Sequence, residues 1–210
     1  MLNINDTNFS GKRALIRVDF NVPLNSEREV TDDTRIRAAL PTIQKVIKDG
    51  GKAILMSHLG RPKNGPEEKY SLKHIAGKLG ELLGTKVKVA PNCVGEEVKA
   101  MADELDKGQV LLLENLRFHK EETAGDEFFA GQLAELGDVY VNDAFGTAHR
   151  EHASTAVIAR FFPENKLFGY LMEDEIKNID RVLYGAKSPV TAIIGGAKVS
   201  SKITIIQNLM

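Results

Sequence analysis

An α/β fold, with helices on both faces of a parallel sheet in three Rossmann-like layers, is predicted by two features of this 210-residue sequence. The first is a set of short runs rich in Val, Ile and Leu, at 14–18, 53–56, 87–90, 110–113 and 139–141. The second is the presence between them of longer stretches with helical period, at 35–48, 72–83, 95–105 and 126–136. Strands that are apolar on both faces and separated by helices need cover on both sides, which parallel pairing with crossover helices provides. Right-handed crossovers then bring every loop that follows a strand to one edge of the sheet.

The boundaries of these elements agree with their interiors. Gly50 and Gly51, Gly84, Gly108 and Gly137 each fall just after a helical stretch, where glycine closes a helix in the left-handed conformation. Past Pro163 a short run at 167–171 leads into an acidic-started helical stretch at 173–184, a second run at 190–194, a glycine pair, and helical pattern over 198–210. One strand and one helix bury too little surface to stand alone. The expected division is therefore a domain over 1–170, an interdomain helix over 171–187, and over 188–210 the truncated start of a second, similar domain.

Composition narrows the function. Of the residues 42% are hydrophobic and 27% charged, with 28 Lys and Arg against 29 Asp and Glu, a net charge of -1. A nearly neutral chain has no overall basic field for nucleic acid, so anion binding must come from local clustering. No run approaches the roughly 18 apolar residues that a membrane span requires. Cys93 is the only cysteine, which excludes an internal disulfide and a multi-cysteine metal site and fits a reducing cytoplasmic home.

Ligands of open α/β sheets sit at the carboxyl ends of the strands. The first such loop holds Asp19, Phe20, Asn21, Val22 and Pro23, and the helix after it opens with Thr34 and Arg35. The second holds Ser57, His58, Leu59, Gly60, Arg61 and Pro62. The loop past 113 holds Glu114, Asn115, Leu116, Arg117 and Phe118, and the one past 141 runs from Asn142 to His149 and Arg150. Arg35, Arg61, Arg117 and Arg150 thus share one edge with His58, and guanidinium groups fork onto phosphate and carboxylate oxygens. Each arginine taken alone could be a surface residue or pair with Asp32, Asp33, Glu114 or Asp143. Asp19 and Asn21 suit a hydroxyl group, and suit a turn equally well. Gly195, Gly196 and Ala197 form a glycine turn before Lys198 and Lys202, which lie four apart on one helical face; this matches neither a Walker A loop nor a dinucleotide loop.

Six segments in order, 17–23, 32–36, 57–62, 114–118, 142–150 and 195–199, resemble the phosphoglycerate kinases. The resemblance implies that Asp19 and Asn21 address the hydroxyl and carboxyl end of 3-phosphoglycerate, and that Phe20, Leu59 and Gly60 also belong to its binding site. It implies that His58, Arg61, Arg117 and Arg150 hold the phosphate that is not transferred, and that Arg35 stands near the carboxyl group that gains or gives up the mobile phosphoryl. Gly196, Ala197, Lys198 and Lys202 match residues at the nucleotide phosphates. The implied catalytic residues are Arg35 and Lys198, as cations over a phosphoryl group in flight. The implied reaction moves that group between 1,3-bisphosphoglycerate and ADP, giving 3-phosphoglycerate and ATP, with Mg2+ held by a second half this chain lacks. The expectation is then a monomeric fragment that is catalytically silent alone, with a stand-alone small-anion module or an unrelated nucleotide binder as alternatives.

Overall fold

The computed structural model describes residues 3–63, 65–185 and 191. Backbone contacts divide the chain into two compact units, residues 1–175 and 176–210. The first unit contains β1 (Arg13–Arg17), α1 (Thr34–Lys48), β2 (Lys52–Met56), α2 (Lys73–Leu83), β3 (Val87–Val89), α3 (Glu96–Asp103) and β4 (Val110–Leu112). It continues through α4 (Lys120–Ala124), α5 (Glu127–Ala134), β5 (Val139–Asn142), α6 (Phe145–Ala148) and β6 (Lys166–Phe168). Helix α7 (Tyr170–Tyr184) begins in the first unit and supplies most of what is described of the second. The expected strand at 190–194 and helix at 198–210 lie outside the described residues, Thr191 apart.

All six strands are parallel, in the order β3-β4-β2-β1-β5-β6. Successive side chains of a strand face opposite ways, and here each face has its own core. Ala14 and Ile16 of β1, Ala53 and Leu55 of β2, and Val139 and Val141 of β5 pack with Ile36, Ile43 and Val46 of α1 and with Ile75 and Leu79 of α2. Leu15, Ile54, Leu111 and Tyr140 face the other way, onto Val98 and Ala102 of α3 and Phe129 and Leu133 of α5. The three predicted layers are present. β3 is half-buried throughout, as befits an edge strand rather than one covered on both faces.

The chain leaves β1 toward β2 on one side and β5 toward β6 on the other, so the connections part above the β1 and β5 ends, where a crevice opens in such sheets. Gly84 closes α2 at φ 68, as its position predicts. Gly137 serves a different purpose: a Cβ there would lie 2.7 Å from that of Leu15, so glycine lets the chain pass close over β1. Helix α7 starts three residues before the acidic pattern at Glu173. Its first turn is anchored from afar, by Thr42 Oγ1 accepting from Tyr170 N–H (2.9 Å) and Asp143 Oδ1 accepting from Met172 N–H (3.2 Å). Among the described residues no helix is long and apolar enough to cross a membrane.

Candidate anion-binding site

The loops after β1, β2 and β4 are tied together by side chains that hydrogen-bond to backbone. Ser57 Oγ accepts from Phe20 N–H at 2.8 Å. Asn115, fully buried, donates from Nδ2 to the carbonyls of Leu59 (2.7 Å) and Tyr70 (2.9 Å) and accepts at Oδ1 from Leu59 and Arg117 N–H. Gly60 sits between two candidate residues: its N–H donates to Asn21 Oδ1 (2.8 Å) and its carbonyl accepts from Arg117 Nη1 (2.7 Å). Only glycine suits that position, because φ is 62° and a Cβ would fall 2.3 Å from the Tyr70 ring.

Arg61, Arg117 and Arg150 meet in the wall of one cavity of about 650 Å³, together with Lys63, Lys120 and Glu121. Among the described residues none of the three arginines has a carboxylate within ion-pair distance. The acids near them in sequence are engaged elsewhere. Asp33 pairs with Arg37 and Lys78, Asp32 accepts from Thr34 N–H, Glu114 accepts from Ser71 and Leu72, and Asp143 accepts from Met172. Glu151 makes no ion pair with its neighbour Arg150. Arg35 does pair, with Asp19 Oδ2, itself a candidate residue.

Electrostatics links the cavity to the rest of the cluster. Burial first, and then the charges of Arg17, Arg117, Arg150 and Arg35, push the pKa of His58 from 6.5 down to about 2. The imidazole is neutral at physiological pH. Arg17 Nη2 lies 3.4 Å from His58 Nδ1, and a guanidinium can only donate, so Nδ1 accepts and the ring proton resides on Nε2. Partial burial, and then Arg150, Arg17 and Arg61, lower the pKa of Arg117, which nonetheless remains charged.

Not every candidate offers a side chain. Phe20 is wholly buried, with its N–H on Ser57 and its carbonyl on Val22 N–H; Leu59 is buried with both backbone groups on Asn115. Both shape their loops with apolar side chains that enter the core. Asn21 and Gly60 line a separate cavity of about 310 Å³. Gly196, Ala197, Lys198 and Lys202 lie outside the described residues. Sequence reasoning assigned no part to Arg17, only 1% exposed, whose one visible signal is a charge inside an apolar strand. Among the described residues no group of three His, Cys, Asp or Glu side chains is placed to hold a metal ion.

A parallel sheet whose carboxyl edge gathers several arginines defines an α/β protein of the class whose ligand crevices lie at the strand ends. The phosphoglycerate kinase family model matches residues 4–210. Relatives named phosphoglycerate kinase include those of Chloroherpeton thalassium, 55% identical over 99% of this chain and 52% of its own, and Aquifex aeolicus, 52% identical over 99% and 52%. The crystal structure of the enzyme from Pyrococcus horikoshii superposes with a TM-score of 0.90 at 34% identity, over 100% of this chain and 52% of that one. That of Coxiella burnetii gives 0.86 at 38% identity, over 99% and 51%. The chain belongs to the phosphoglycerate kinase family, and it spans about half the length of the curated relatives it matches.

Proposed function

We propose that residues 1–170 are the acid-substrate lobe of an enzyme that moves a phosphoryl group reversibly between 1,3-bisphosphoglycerate and ADP, giving 3-phosphoglycerate and ATP. The observation that carries this reading is the meeting of Arg61, Arg117 and Arg150 in one cavity, where five cationic side chains stand against Glu121 and none of the three arginines is in an ion pair among the described residues. Three guanidinium groups outside any ion pair fit a phosphate dianion, each able to fork onto two of its oxygens. Neutral His58 adds one Nε2–H donor, and Asn21 Nδ2, which makes no hydrogen bond among the described residues, can serve a hydroxyl or carboxylate. Arg35 is held by Asp19 at the start of α1 and is half-exposed, a cation that can turn to the acid's carboxyl end as that group gains or loses phosphoryl. The nucleotide, with Mg2+, falls to Lys198, Lys202 and the part of the enzyme that the relatives have beyond this length. The family's place in glycolysis and a single buried thiol favour the cytoplasm.

Calorimetric titration of 3-phosphoglycerate into this chain tests the reading. Binding is expected, weakening as salt is added because charge dominates it, and glycerate without the phosphate should give no heat. A chain that binds ADP with Arg61, Arg117 and Arg150 all neutralised, and that ignores 3-phosphoglycerate, would instead be an unrelated nucleotide binder.

A further inference from the structure

Beneath the arginine cluster lies a buried polar node that the candidate roles leave unused. Ser154 is the second residue of the π-helical turn Ala153–Val157 and is completely buried, yet each of its polar groups is engaged. Its N–H donates to Glu122 Oε2 (2.9 Å) and its hydroxyl to Glu122 Oε1 (2.6 Å). Its Oγ accepts from Arg17 Nε–H (2.9 Å), and its carbonyl accepts from the Tyr140 hydroxyl (2.9 Å). Glu122 and Arg17 are both only 1% exposed, so a carboxylate and a guanidinium are buried together with a serine hydroxyl between them.

The segments joined here are those that carry the cluster. Glu122 is on α4, three residues after the loop that bears Arg117 ends in Phe118 and His119; Arg17 ends β1 and reaches His58. The next residue after Ser154, Thr155, donates from its hydroxyl to the carbonyl of Arg150 (2.7 Å). Loops after four different strands would otherwise approach one another with positive charges foremost, and repulsion would spread them. A single buried anion, bonded to a serine that is itself bonded to a cation, fixes their separation from below.

We infer that Glu122, acting through Ser154, is a positioning residue that sets the spacing of Arg17, Arg117 and Arg150. The inference rests on the phosphate-binding reading above and deepens it, since Glu122 need touch no ligand.

Glu122→Gln in the full 1–210 chain separates positioning from plain electrostatics. Glutamine preserves size and one acceptor oxygen but removes a negative charge, so a purely Coulombic role predicts tighter 3-phosphoglycerate binding. Positioning predicts the reverse, about tenfold weaker binding, the equivalent of one charge-assisted hydrogen bond. Ring nitrogen-15 shifts of His58 supply a second readout: a single Nε2–H tautomer in the unaltered chain should give way to a mixture once Arg17 loses its fixed partner. Val98→Ala, a cavity in the core beside α3, controls for general loss of stability and should change neither reading. Ser154→Ala should behave as Glu122→Gln does. Unchanged or tighter binding with an unaltered His58 spectrum would overturn the inference while leaving the site intact. Absence of 3-phosphoglycerate binding in the unaltered chain would remove the phosphate reading, and this inference with it.

Discussion

Arg117→Ala is expected to weaken 3-phosphoglycerate binding to this chain about a hundredfold, more than the loss of a surface arginine would. Three observations support so large an effect. The side chain is half-buried, so its charge acts through less water than an exposed one. Its Nη1 is fixed on the Gly60 carbonyl, which aims the remaining donors and removes much of the entropy that ligand binding would otherwise have to supply. It shares a cavity with Arg61 and Arg150 and makes no ion pair among the described residues, so none has to break first. A charge-assisted hydrogen bond contributes about 1.5–3 kcal/mol, and each 1.4 kcal/mol is tenfold in affinity. Arg117→Lys should recover the long-range attraction but not the fork, leaving a loss of about tenfold. Calorimetry at low salt measures both, and a change below about twofold for the alanine variant would contradict the assignment.

Asp143→Asn is expected to stabilise the chain near neutral pH and to flatten its stability profile between about pH 4 and 7. Asp143 is fully buried at the end of β5, its Oδ2 has no hydrogen-bond partner among the described residues, and Gly169 lies against it so closely that a Cβ there would be 2.3 Å from Asp143 Cγ. Burial, opposed by hydrogen bonds from Thr42, Met172 and Leu171, raises its pKa from 3.8 to about 6. The sign follows from that direction: the folded chain holds the proton more tightly than the unfolded one. The protonated carboxyl's contribution is therefore complete below 3.8 and is lost as pH rises through about 6. At pH 7 the ionised group then costs up to about 3 kcal/mol, which an uncharged asparagine with the same Oδ1 acceptor avoids in large part. Thermal unfolding of both proteins across this range decides the matter. Parallel curves would show that Asp143 does not titrate in the window.

The layers of the fold were legible because the strand runs are apolar on both faces and the helices carry a clear period. Boundaries were less so where the determinant is distant: α7 begins at Tyr170 because Thr42 and Asp143 cap it, and neither adjoins it in sequence. At the site, the arginines announced themselves by falling in loops after strands. Asn115 was visible only as part of a motif, since its role is to satisfy the backbones of two loops that the sequence does not bring together. The Glu122 and Arg17 node was invisible for the same reason, its serine standing 32 residues from one partner and 137 from the other. Arg17 left a trace nonetheless, because a charge inside a central strand must find company.

The strongly cationic cavity also sets grip against endurance. Guanidinium groups crowded at its wall repel one another whenever the lobe is empty, so the arrangement best suited to seizing a phosphate ester is not the one that best withstands heat. A chain with Arg61 neutralised should tolerate warming better and hold its ligand worse. On the proposed function a bound ester supplies a counter-charge, so the durability of residues 1–170 should rise with the concentration of 3-phosphoglycerate.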